Sequence, residues 1–277
     1  MKNKSALTQK LCASPHIVWS AIFIVVPLIM VLYYAFTDAN GAFTFENILR
    51  LGDYTTTFLR SIWYGIVATV ICLIIAYPLA YIIAQSKARV QSTMVMLVMI
   101  PMWMNFLLRT YAWMTLLEDN GVINGIITKL GFDGVHMINT SGAVILGMVY
   151  NFLPYMILPI YTVMTKLDRS LIEAAQDLGA NKVCVIKDVV FPSTLSGVVS
   201  GITMVFVPSV STFYISQKLG GGSFALIGDI IEMQFQVSNN FNFGAALSLV
   251  LMVLILICMA VMNRFGDDEN AAGGMMI

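Results

Sequence analysis

Glu173–Pro192, EAAQDLGANKVCVIKDVVFP, is a polar, charged stretch broken by Gly179 and flanked on both sides by long apolar segments. A chain that is mostly membrane here sets one ordered-looking segment in water, where a partner is a more natural contact than lipid. The flanks fix that contrast. The 277 residues are 58% hydrophobic and 11% charged, against about 25% charged in soluble domains. This is the composition of an all-α polytopic membrane protein. A formal net charge of zero gives no long-range pull toward nucleic acid.

A spanning helix needs about 20 mainly apolar residues. Six runs qualify, at 16–36, 61–84, 94–117, 142–164, 194–215 and 243–262, and they predict a single transmembrane domain over 1–277 with a cytoplasmic segment at 165–192. Lys2, Lys4 and Lys10 precede the first run with no small-residue cleavage site after it, so an uncleaved first span is expected rather than a signal peptide. These lysines, Lys87 and Arg89, and Lys166, Arg169, Lys182 and Lys187 fall on one side; the opposite loops hold Arg50, Arg60, Lys129 and Lys218. Basic residues gather on the cytoplasmic side, so both termini are expected there. The tail acids Asp267, Asp268 and Glu269 weigh little in that rule.

Cys12, Cys72, Cys184 and Cys258 show no CxxC spacing, and His16 and His136 are isolated, so neither a disulfide framework nor a metal site is expected. Residues 124–130 read as a short amphipathic helix in an outer loop, residues 224–235 follow the glycine break at 220–222 with apolar spacing and two acids, and no internal repeat supports an inverted-repeat carrier.

Within the polar stretch, Ser170 followed by Glu173 reads as a capping box. Leu171, Ala174, Ala175 and Leu178 form an apolar stripe at helical spacing, and Gly179 suits the left-handed position that ends a helix. Asn181 caps a second helix through Val190, and Pro192 starts the next span. The alternatives are a helix lying on the lipid headgroups and a shallow face for another protein's groove.

Glu173-Ala174-Ala175, three residues, Gly179, nine residues, then Val189, Phe191 and Pro192 resembles the EAA motif of ABC importer permeases, whose pattern closes on Ile-x-Leu-Pro. Pro101–Asn105, Leu107-Leu108-Arg109 with Tyr111, Tyr150 with Leu153-Pro154-Tyr155, Lys166-Leu167-Asp168, Phe213–Ser216, Gly220-Gly221 and Leu226-Ile227-Gly228 resemble the spermidine/putrescine permeases. Relatives for iron, thiamine and other solutes share parts of these. The resemblance implies a six-helix type I importer (MetI-like) permease in the bacterial inner membrane. It also implies that Glu173, Ala174, Ala175, Gly179 and Pro192 couple to two cytoplasmic ATPase subunits, which use ATP and magnesium. A second permease, favoured as a sister chain, completes the pathway, and an extracytoplasmic binding protein delivers the substrate. The chain has no GxxxxGK[ST] phosphate loop, so it lacks that route to ATP hydrolysis, and no cofactor of its own is expected.

Arg109 is the one charge inside a run, toward its outer end, and a structural or gating role fits better than contact with a cationic substrate. Pro208 breaks the fifth run before Ser209, Ser211 and Thr212; freed carbonyls and hydroxyls there either satisfy a kink or line a path. Trp103, Asn105, Tyr111, Tyr150, Asn151, Tyr155 and Tyr214 are pathway candidates, because cations bind aromatic faces, although tyrosine and tryptophan also anchor at membrane interfaces. Trp103, ten residues into its run, is the least easily explained as an anchor. No Asp or Glu lies inside a run, which argues against a stand-alone ion-coupled carrier. Asp229 and Glu232, spaced i,i+3 on the outer side, either receive a polyamine, dock the binding protein, or form a solvated face.

Overall fold

A computed structural model describes residues 15–222 and 224–273. Lys2, Lys4, Lys10 and Cys12, and the side chains of Arg169, Asp267, Asp268 and Glu269, lie outside what is described. Among the described residues four helices are long and apolar enough to cross a bilayer: Pro15–Ala35, Glu46–Gln85, Ser141–Met164 and Phe241–Met262. Two bent pairs bring the total to six when each is taken as one span: Ala88–Trp103 with Phe106–Lys129, and Lys182–Ser193 with Leu195–Ser211.

The chain divides into two compact units, residues up to 55 with 230–254, and residues 56–229 with those from 255 on. In the first, α1 (Pro15–Ala35) exposes its apolar side chains along its length, as a span facing lipid does. Its last residue, Ala35, packs with Ala245, Ala246 and Leu249. Asn242 Nδ2 donates to the Thr37 carbonyl at 2.7 Å and Asn47 Nδ2 to the same oxygen at 2.9 Å, closing the chain after α1. The Arg50 guanidinium lies 4.8 Å from the centre of the Phe243 ring.

The second unit holds α2 (Thr55–Gln85, from residue 56), α3 (Ala88–Trp103), α4 (Phe106–Leu117), α5 (Val122–Lys129), α6 (Ser141–Met164), α7 (Arg169–Asp177), α8 (Lys182–Ser193), α9 (Leu195–Ser211) and α10 (Tyr214–Gly220). Two further helices, α11 (Ile227–Gln236) and α12 (Phe241–Gly273), run across the division. The core of this unit is built around α6, the most buried of the long helices. Ala68, Cys72, Ala76 and Ala80 make a fully buried small-residue stripe on α2, and the Cys72 thiol lies 3.8 Å from the Val149 carbonyl of α6. On the other side α9 meets α6 through glycine: a Cβ at Gly197 would fall 2.9 Å from the Pro159 carbonyl oxygen, and one at Gly201 2.7 Å from Met156 Sδ. Membrane helices associate by such close packing because lipid offers no hydrophobic drive between them.

The structure departs from the expected spans in two places. The run at 94–117 is not one helix: α3 stops at Trp103, and the chain from Phe106 turns by 89°. Pro101 lacks the amide that would continue the helix, and Asn105 begins the next one, its Oδ1 accepting from Leu107 N at 2.8 Å. The run at 194–215 is also divided. Helix α9 begins at Leu195 after a 71° bend and ends at Ser211, three residues beyond Pro208. The expected short helix at 124–130 is present as α5, and the stretch from 224 is helical from Ile227 as α11.

Candidate functional site

The polar segment folds as a helix, a left-handed glycine and a second helix. The cap differs from the expected box. Asp168, not Ser170, is the N-cap of α7, its Oδ1 accepting from Ser170 N at 2.9 Å. The amide and hydroxyl of Ser170 hold the Asp168 carboxyl below the ordinary carboxylate range. The C-terminus follows the expected pattern. Gly179 has φ +85°, its amide bonds Gln176 O at 2.9 Å, and Ala180 N bonds Ala175 O at 3.1 Å. These are the two bonds of a Schellman closure, which needs a residue free to turn left-handed. Asn181 then caps α8 through Cys184 N at 2.9 Å, as the sequence indicates.

Burial divides the expected apolar stripe. Ala175 turns inward with Ile172, Leu167 and Ala180 and packs against the core, and Val185 and Val190 anchor α8 beneath it. Leu171, Glu173 and Ala174 remain exposed, as do Leu178 at 89% and Val183 at 72%. Their neighbours Ile172 and Val185 are the missed inward contacts, identifiable only by which face the rest of the fold covers. The segment therefore has a fixed inner face and an open apolar outer face that carries Glu173.

Helix α8 passes Pro192 and ends at Ser193, with residues 185–190 in π-helical register. At the bend Thr194 is fully buried, and its hydroxyl bonds the Val190 carbonyl at 2.8 Å. The Tyr77 hydroxyl of α2 is 3.1 Å from Thr194 Oγ1, and the Tyr77 ring centre lies 5.7 Å from that of Phe191. Either hydroxyl can donate in this pair. This link carried no sequence signal.

Of the pathway candidates, Tyr214 joins a cluster. Its ring centre lies 6.0 Å from Phe106 and 6.1 Å from Tyr111, and Lys218 Nζ lies 5.4 Å from the Tyr111 centroid and 5.8 Å from that of Tyr214. Tyr150 packs on Trp113 at 5.3 Å. Asn151 is buried and donates to Gly147 O, and Asn105 acts as a helix cap. Ser209 and Ser211 bond the Val205 and Val207 carbonyls of their own helix, so both hydroxyls have partners in the kink. Trp103 is 73% exposed at the end of α3. Tyr155 lines a shallow groove with Pro159, Thr162, Gly197, Ser200 and Met204. Arg109 is buried, its guanidinium carbon 6.0 Å from the Phe106 ring centre. Its Nε and Nη1 have no hydrogen-bond partner among the described residues.

The two acids of α11 are already engaged. Asp229 accepts from Ser216 Oγ at 2.8 Å and from Leu226 N at 2.7 Å, tying α10 to the start of α11. Ser61 of α2 accepts from Ile227 N at 2.8 Å in the same joint. Glu232 lies one turn further along α11 and is also engaged.

Residues 76–267 match the family described as binding-protein-dependent transport system inner membrane component. The chain is 33% identical over 251 residues to the spermidine/putrescine transport system permease protein PotB of Haemophilus influenzae, covering 87% of this chain and 88% of that protein. It is 34% identical over 259 residues to PotB of Salmonella typhimurium, covering 90% of each. A chain of a bacterial ABC transporter involved in the import of the acidic polysaccharide alginate superposes with a TM-score of 0.77 at 17% identity, over 96% of both chains. A chain of the MetNI methionine ABC transporter superposes at 0.56 and 17% identity, over 82% of this chain and 98% of that one. At such identities the superpositions speak for the fold alone.

Proposed function

This chain belongs to the family of binding-protein-dependent transport system inner membrane components, and from that premise we propose that it is a permease subunit for polyamine import. One observation carries the cargo: identity of 33–34% to spermidine/putrescine permeases, sustained over close to nine-tenths of the chain. The open face of Leu171, Glu173, Ala174 and Leu178 supports docking of a separate ATPase, the subunit that would bind ATP and magnesium. A second permease, in this reading a sister chain, completes the pathway, and an extracytoplasmic binding protein supplies affinity. Both termini lie in the cytoplasm in this arrangement. Residues 165–192 transmit closure of the ATPase pair to the helices behind them.

Uptake of radiolabelled spermidine by cells carrying the full gene cluster tests the cargo; robust expression without uptake points to another solute. Capture of the ATPase tests the docking face separately. Glu173→Arg reverses an exposed charge on that face and leaves the inner packing alone. The expected result is membrane insertion as before with loss of ATPase capture, and unchanged capture would sink the coupling role.

A further inference from the structure

We propose that Tyr111 and Tyr214 form a cradle for a primary alkylammonium, and that the chain's own Lys218 fills it in the state seen here. The natural occupant rests on the polyamine reading; the cradle itself rests on geometry. The two rings come from different helices, α4 and α10, and meet edge to face at 81°. Lys218 Nζ lies within 6 Å of both ring centres, the range in which a cation is drawn to an aromatic face. Among the described residues it forms no ion pair with a carboxylate, and its contacts are with the two tyrosines, the Tyr111 hydroxyl included. Tyr111 is 42% exposed, which leaves the cradle open to an incoming ligand.

The chemistry of the occupant identifies the ligand class. A lysine side chain is a four-carbon primary ammonium, the same group as either end of putrescine and the aminobutyl arm of spermidine. Lys218 is thus a tethered copy of one end of such a ligand. A free diamine has to displace it, and the displaced ammonium swings into water at modest cost because lysine is a flexible, strongly hydrated cation. With no cargo present, the chain's own ammonium occupies the cradle. Phe106 packs against the Tyr214 ring, the two ring centres 6.0 Å apart.

The test uses the full chain in lipid nanodiscs, labelled with 3-fluorotyrosine, the Tyr111 and Tyr214 resonances being assigned from Tyr111→Phe and Tyr214→Phe. Butylammonium and putrescine are the titrants. Both resonances are expected to move saturably, and Lys218→Gln is expected to lower the half-saturation concentration roughly 2- to 30-fold, the range set by one cation–π contact. Lys218→Arg, which keeps a stacking cation, leaves it near the parent value. Tyr111→Leu in the Lys218→Gln background separates a cradle from simple charge repulsion: the gain at Tyr214 disappears for a cradle and persists for repulsion. A persisting gain, or no saturable movement of either resonance, overturns the proposal. Spermidine uptake is scored independently, so loss of the polyamine reading leaves the butylammonium titration to decide the cradle.

Discussion

Gly179 shows how one residue sets the geometry of the proposed coupling segment. At φ +85° the chain turns left-handed, and no atom lies within 4 Å of where a Cβ would stand. Gly179→Ala therefore meets no steric obstacle and carries only the left-handed backbone cost, about 1–2 kcal/mol. The expected outcome is faster amide hydrogen exchange at Gly179 and Ala180 with the transmembrane helices unaffected. Asp168 makes a second prediction at this scale, through pH. Its carboxyl is held below its unfolded value by Ser170, so the cap is fully present above the unfolded pKa of about 3.9. It is lost as pH falls through the lower folded value. Amide exchange at Ser170, corrected for its intrinsic pH dependence, should reveal this opening only under acid conditions. In Asp168→Asn the dependence should vanish while the cap remains, since asparagine caps about as well as aspartate.

Among elements, what composition could reveal and what it could not separate cleanly. Long apolar runs made the spans legible, and Gly179 and Asn181 marked the turn between α7 and α8 because each has a local reason to sit there. The cap was misplaced because Asp168 and Ser170 are both good N-cap residues two positions apart, and spacing alone does not choose between them. The 89° turn after α3 lay hidden in a run that stays apolar on average through Asn105; hydropathy counts side chains and is blind to direction. The Tyr111–Tyr214–Lys218 cluster joins residues about a hundred positions apart, beyond the reach of any periodicity. The glycines of α9 are a further case, since a helix of apolar residues gives no sign of which glycine touches backbone. Gly197→Leu would drive a side chain into the Pro159 carbonyl and the Ile160 backbone, neither of which can move aside like a flexible side chain. A loss of about 1–3 kcal/mol is expected, read as a lower thermal unfolding midpoint of the purified chain. The same change at Gly125, with nothing within 4 Å of its Cβ position, should leave that midpoint in place.

For the molecule as a whole, the proposed transport cycle needs movement of the exposed segment to reach the helices behind it. The fold supplies one specific joint for this. Thr194 sits at the 71° bend between α8 and α9, fully buried, its hydroxyl bonded to the Val190 carbonyl and paired with the Tyr77 hydroxyl of α2. Beside it a cavity of about 140 Å³, lined by Tyr81, Gln85, Gln91, Thr165 and Ile172 among others, leaves space behind α7. The segment thus has room behind it and a hydrogen-bonded link to α2 at its root. Tyr77→Phe keeps the ring against Phe191 and removes the hydroxyl alone. ATPase capture should be unchanged, because the docking face is untouched, while substrate moved per ATP hydrolysed should fall by roughly 2- to 10-fold, the worth of one hydrogen bond. Thr194→Val should give the same ratio, and Thr194→Ser, which restores a hydroxyl at that position, should recover it. Equal losses of capture and transport in Tyr77→Phe would show instead that the tyrosine only holds the segment in shape.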